Sequence, residues 1–180
     1  MNRTPYQKFK EKWKDCQKCE LAKQRRKIVM ARGTRIPCDV LFVGEAPGSS
    51  ENVIGRPFCG PAGHLMQRII DEALHDHTFC LTNLVMCFPR EAKSRGENEP
   101  PEEAILTCRP RLEEFIGLCK PKTIVAVGRL AAKYLYEYLE HEDFPQITHP
   151  AAILRMHVSQ LGLAVQQCVY TIEDALESSY

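Results

Sequence analysis

Between Asp39 and Gly63 the chain reads DVLFVGEAPGSSENVIGRPFCGPAG, a short apolar run followed by a loop in which glycine and proline recur. Val40 to Val43 suit a buried parallel strand, and at Gly44 the chain turns out of it. After Gly63 the apolar positions Leu65, Met66, Ile69, Ile70, Ala73 and Leu74 recur at helical spacing, so the loop feeds a helix whose free N–H groups point back at it. A pocket sized for a nucleotide is expected where the strand ends. Glycines 44, 48, 55, 60 and 63 let backbone come close to a ligand, with Glu45, Glu51 and Phe58 set between them. The glycine spacing fits neither the dinucleotide fingerprint nor the Walker loop, and no Lys-Ser/Thr pair opens the helix.

The same alternation continues along the chain. A second strand is expected at Phe79 to Val85, and a polar loop at Phe88 to Pro101. Pro100 and Pro101 with Glu102 and Glu103 then start a helix that runs to about Cys119. Lys122 to Gly128 reads as a third strand, Arg129 to Leu139 as a helix, and Gln146 to Thr148 as a short strand before a final helix. Residues 5–15 form a basic helix with Tyr6, Phe9 and Trp13 on one side, suited to packing as a lid. Strands alternating with helices predict a mainly parallel sheet covered on both faces, within one domain spanning 1–180. Ligands gather at the C-terminal ends of parallel strands, which brings Gly44 to Gly48, Asn83 to Cys87, Gly128-Arg129 and His149-Pro150 to one edge.

Charge and cysteine usage narrow the function classes. Residues 1–36 hold 12 Lys+Arg against 3 Asp+Glu, leaving 12 against 20 for the remainder, so a +9 segment precedes a −8 one. That asymmetry suits a basic face for a polyanion, or a solvated charged helix at the terminus. No apolar run approaches the roughly 20 residues of a membrane span, and the charged start lacks the apolar centre of a signal peptide. A cytoplasmic monomer with no membrane association is expected. Nine cysteines, an odd number, point to metal thiolates before disulfides in that compartment, and Cys16-Gln17-Lys18-Cys19 spaces two sulfurs for one metal.

Six short motifs occur in one order: GEAPG at 44–48, GRPFCGPAG at 55–63, TNLVMC at 82–87, CRPRL at 108–112, IVAVGRLAA at 124–132 and HPAAILR at 149–155. Together they resemble the iron-sulfur, family-four uracil-DNA glycosylases from Cys16 to about Arg155. The resemblance implies a three-layer α/β/α sandwich around a short, mainly parallel sheet. It also implies a [4Fe-4S] cluster on Cys16, Cys19, Cys87 and Cys108, and excision of uracil from single- or double-stranded DNA. Zinc on the same four thiolates is the competing metal. Cys38, Cys59, Cys80, Cys119 and Cys168 lie in apolar or motif contexts and read as buried small residues.

A flipped uracil needs a face to receive it and polar atoms to read its edge. Phe58 is the expected stacking partner, Asn83 the complement of O4 and N3–H, and the backbone from Gly44 through Ala46 to Gly48 the partner of O2. Bond cleavage puts positive charge on the sugar and negative charge on the departing base. His149, matching the motif histidine, is expected to donate to the leaving oxygen. Glu45 or Glu51 is expected to orient water or oppose the sugar cation. Ala46 stands where many uracil glycosylases have Asp, and Asn52 where an acidic residue is common after Glu51, so the choice of carboxylate stays open. DNA contact is expected from the basic run at 23–27, including Arg25, Arg26 and Lys27, from Arg129, and from Leu154 and Arg155. Ile153 and Leu154 are either a wedge for the gap in the duplex or core. The basic insertion of the subgroup that bonds to abasic sugar is absent from the 88–101 sequence. A non-catalytic iron-sulfur or zinc nucleic-acid-binding module on the same scaffold is the alternative.

Overall fold

The computed structural model describes residues 3–89, 99–139, 142 and 144–179. Its centre is a five-stranded sheet in the order β1-β3-β2-β4-β5, built from Arg32–Gly33, Val40–Gly44, Phe79–Asn83, Thr123–Val127 and Gln146–Ile147 numbered along the chain. β2 to β5 run parallel, and β1 closes one edge antiparallel to β3. Every residue of β2, β3 and β4 is buried, as continuous apolar runs require when helices cover both faces of a sheet.

Alternate side chains of each strand feed two cores. Leu41, Val43, Cys80, Ile124 and Ala126 face one layer, which contains α1 (Pro5–Trp13), α4 (Glu102–Cys119) and α5 (Arg129–Tyr138). Val40, Phe42, Leu81, Val125 and Val127 face the other, with α3 (Pro61–Leu74), the short α6 (Pro150–Ile153) and α7 (Val158–Glu177). These layers and the sheet make the expected α/β/α arrangement. α1 is started by a capping box, Thr4 and Gln7 each accepting from the other's backbone N–H, and lays Phe9 against Phe115 of α4 with ring centroids 5.4 Å apart. It ends at Trp13, two residues before the expected limit.

Three elements lie outside the sequence expectations. β1 is two residues long and exists only through its pairing with Leu81 and Cys80. α2 (Ser49–Ile54) occupies part of the glycine-rich loop and stops at Gly55, whose φ of 84° is the left-handed stop that glycine favours. Its buried residues are Glu51 and Asn52, while Val53 and Ile54 are more than half exposed, so apolar periodicity carried no signal for it. α6 is a single turn after His149. β3 stops at Asn83 where a strand to Val85 was expected, although Leu84 and Val85 still donate to the carbonyls of Gly44 and Glu45. Most of the expected 88–101 loop, residues 90–98, lies outside the described residues.

Candidate active site

Register fixes which residues meet. Gly44 of β2 pairs with Asn83 of β3, Val43 with Ala126 of β4, and Val127 with Ile147 of β5. The C-terminal ends of four parallel strands therefore present Gly44, Asn83, Gly128 and the Thr148-His149 segment along one edge. Chain order reverses beside β2, which is followed by β3 on one side and β4 on the other, making this the crevice where open α/β sheets bind ligands.

Two glycines show how tightly the side chains converge there. A Cβ added to Gly44 would lie 2.5 Å from Asn83 Oδ1 and 2.7 Å from Phe58 Cζ, so any larger residue there must displace one of these side chains. A Cβ on Gly128 would lie 2.8 Å from Glu45 Oε1 and 3.3 Å from His149 Cβ, and its φ of 96° independently favours glycine. Phe58 is buried at a φ of 52°, a left-handed conformation that is rare for an aromatic residue. Arg32 holds that turn by donating to the carbonyls of Pro57 and Phe58 and to Gln67 Oε1.

His149 caps α6 with its ring, Nδ1 accepting from Ala151 N–H at 3.1 Å. A neutral imidazole with Nδ1 as acceptor carries its proton on Nε2, which leaves Nε2–H as a donor. Burial, assisted by the positive charge of Arg155, lowers the imidazole pKa and favours this neutral form. Burial also raises the Glu45 carboxyl, and the charge of Glu99 adds to the effect. Glu51 is placed differently. Its Oε1 accepts from Cys59 and Gly60 N–H, both at 2.8 Å, so this carboxylate is bound to the loop that leads into α3. Ala46 is half-buried against the α1/α4 core.

Cys16, Cys19, Cys87 and Cys108 line one small pocket with Trp13, Met86 and Arg25. Arg25 donates to Cys16 O at 2.7 Å and points Nη1 at Cys87 Sγ, 3.7 Å away. Its guanidinium, expected to contact DNA, is engaged with the cysteine pocket. Arg111, 1 % exposed, forks to Thr82 Oγ1 and the carbonyls of Asn83 and Leu84 and approaches Cys108 Sγ at 3.8 Å. Its Nε has no partner, and among the described residues no carboxylate lies within ion-pair reach of it. A buried cation without a counter-charge is costly, and four thiolates around a metal centre would supply negative charge beside it. The donor set and its two guanidiniums therefore suit an anionic thiolate-metal group. Without a metal, burial pushes the Cys87 thiol up to about 11.

Arg26, Lys27, Arg129, Leu154 and Arg155 are exposed, and Arg26 and Lys27 are anchored through their backbone N–H groups to Asn52 Oδ1. The wedge-or-core alternative resolves residue by residue: Ile153 is fully buried and Leu154 is 45 % exposed. Arg32, Arg111 and Asn52 are structural supports that the sequence expectations missed. Arg111 lies within the quoted CRPRL motif, so its signal was present beside Cys108. A second thiol group, Cys38, Cys80 and Cys119, has its sulfurs within 4.8 Å of one another.

The chain is 38 % identical over 145 residues to the type-4 uracil-DNA glycosylase of Sulfurisphaera tokodaii, covering 79 % of this chain and 62 % of the relative. Against the type-4 enzyme of Saccharolobus solfataricus it is 38 % identical over 125 residues, covering 68 % and 55 %. Against that of Pyrobaculum aerophilum it is 37 % identical over 134 residues, covering 74 % and 65 %. The matched part thus spans less than two thirds of each of these relatives' lengths. The profile of the Uracil DNA glycosylase superfamily aligns with residues 31–170, which include Gly44, Glu45, Phe58, Asn83, Gly128 and His149, and by that match the chain belongs to the superfamily.

Proposed function

We propose that this protein excises uracil from DNA by hydrolysing the N-glycosidic bond and leaves an abasic site. The observation that carries this is the meeting of Glu45 and His149 at Gly128, on the same strand-end edge where Phe58 and Asn83 meet at Gly44. In this reading Phe58 stacks on the flipped base, Asn83 pairs with its O4 and N3–H edge, and backbone of the 44–48 segment faces O2. His149 donates from Nε2–H to the oxygen that gains charge as uracil departs. Glu45, as a carboxylate, orients the attacking water or opposes the sugar cation. Glu51 keeps the loop in shape through its two backbone hydrogen bonds.

Cys16, Cys19, Cys87 and Cys108 hold a [4Fe-4S] cluster in this proposal. That group supplies structural cross-linking, joining the N-terminal segment to the end of β3 and to α4. Exposed Arg26, Lys27, Arg129, Leu154 and Arg155 form the DNA-facing surface, with Leu154 as the apolar contact.

Incubation with a uracil-containing oligonucleotide followed by alkaline cleavage tests the activity. Strand scission should require alkali and uracil. Its absence in iron-replete protein would favour a non-catalytic binding module. Ionised Glu45 and neutral His149 are both lost as pH falls, so the rate should have one acid limb. Because burial raises Glu45, that limb should lie above the ordinary carboxylate value of about 4.3. Glu45→Gln should slow excision by about 10²–10⁴-fold and change the limb to the one that His149 alone produces. A limb unchanged in Glu45→Gln would assign it to another group.

A further inference from the structure

Cys38, just before β2, Cys80 in β3 and Cys119 at the end of α4 bring three sulfurs within 4.8 Å of one another, each residue no more than 5 % exposed. They are separate from the four-cysteine pocket. Cys108 and Cys119 stand eleven residues apart on α4, about 16 Å along the axis at roughly 1.5 Å per residue. Backbone holds the group together, because Cys38 N–H donates to Cys119 O at 3.0 Å and Cys80 lies in the register of β3 with Leu41. Nothing in the proposed excision chemistry uses these thiols.

We propose that Cys38, Cys80 and Cys119 form a second metal site, selective for a soft closed-shell cation that accepts three sulfur ligands, with monovalent copper as the fitting ion. Three thiolates about 2.3 Å from one ion in a plane would be about 4 Å apart, so the observed group needs only a small contraction. The metal-ligating group contains no histidine or carboxylate, and structural zinc is almost always four-coordinate. Soft thiolates with no harder donor among them select copper(I). Access is also present: Cys80 lines a cavity of about 770 Å³ whose rim includes Tyr6, Arg32, Arg35, Arg56 and Lys120. Cys80 Sγ–H donates to Arg35 O at 3.2 Å, which orients that sulfur within the group. Each of the three thiols gives up its proton to solvent as the metal binds.

The test uses the full chain, purified anaerobically, with iron measured before and after one equivalent of copper(I) is offered in competition with a copper(I) chelator. Wild type should retain one copper without releasing iron, and X-ray absorption at the copper edge should show three sulfur neighbours and no nitrogen. Cys80→Ser and Cys119→Ser should each weaken retention by more than the about 10–100-fold of a lost outer-shell contact. Cys59→Ser, outside both thiol groups, should bind as wild type does. Iron release matching copper uptake would place copper in the four-cysteine pocket and overturn the proposal. So would a nitrogen-containing shell, failure to compete with the chelator, or a disulfide among these cysteines in the anaerobic protein. The absorption measurement on wild type decides the case even if the serine variants do not fold.

Discussion

Asn83 combines a structural and a chemical role at one position. Its carbonyl is held by buried Arg111, and its side chain stands beside Gly44 at the strand-end edge. Uracil offers an acceptor at O4 and a donor at N3, whereas cytosine offers a donor at N4 and an acceptor at N3, so an amide suited to the first mismatches the second. Asn83→Asp replaces a donor with an acceptor at nearly constant volume. Each well-paired base edge is worth about 1–3 kcal/mol of discrimination. Uracil excision should therefore fall by about 10–100-fold and cytosine excision should become detectable, while the backbone contact from Arg111 survives. Parallel assays on uracil- and cytosine-containing oligonucleotides check this. Full uracil activity with none on cytosine would remove Asn83 from base reading.

At the scale of elements, α4 ties the sheet to the cysteine pocket through one side chain. Arg111 leaves the helix to meet Thr82, Asn83 and Leu84 at the end of β3, and passes Cys108 on the way. Arg111→Met keeps much of the volume but leaves two buried carbonyls unpaired, at about 1–3 kcal/mol each. The expected loss is about 2–6 kcal/mol in denaturant unfolding, accompanied by lower iron content because Cys108 loses its neighbouring cation. A variant with wild-type stability and iron content would show that water or a relaxed backbone replaces the contact. α2 illustrates a different use of an element. Its buried polar pair, Glu51 and Asn52, binds the backbone of 59–60 on one side and of 26–27 on the other, so six residues fix two loops.

The whole molecule separates charge by position. Its basic N-terminal portion wraps onto a more acidic body, and Arg26 and Lys27 stay exposed on backbone anchored by Asn52. Arg25, counted with them in the sequence, is turned into the cysteine pocket. If the exposed cations neutralise phosphates, DNA affinity falls with salt, and each lost contact lowers the logarithmic slope by about 0.7–0.9. Substituting Arg26, Lys27 and Arg155 with Gln should flatten the slope by about two to three units. Arg25→Gln should instead lower iron content with little effect on the slope. Fluorescence anisotropy over a salt series measures both, and an unchanged slope in the triple variant would return the segment to a solvated face. Among the described residues no helix is long and apolar enough to cross a membrane.

Alternating strands and helices were legible in the chain alone, because apolar runs and helical periodicity are local signals, and the rule for parallel strands brought Gly44, Asn83, Gly128 and His149 to one edge. Motif order also supplied the four-cysteine set, whose members do line one pocket. The remaining features arise from packing between segments distant in the chain. β1 has two residues and no period, α2 buries polar residues in place of apolar ones, and the inward turns of Arg25 and Arg111 depend on sulfurs and carbonyls distant in the chain. Cys38, Cys80 and Cys119 looked like isolated core residues because no sequence spacing links them. They form a group because the start of β2, the body of β3 and the end of α4 pack together, and that convergence is set by the sheet's register and the placement of the helix on it.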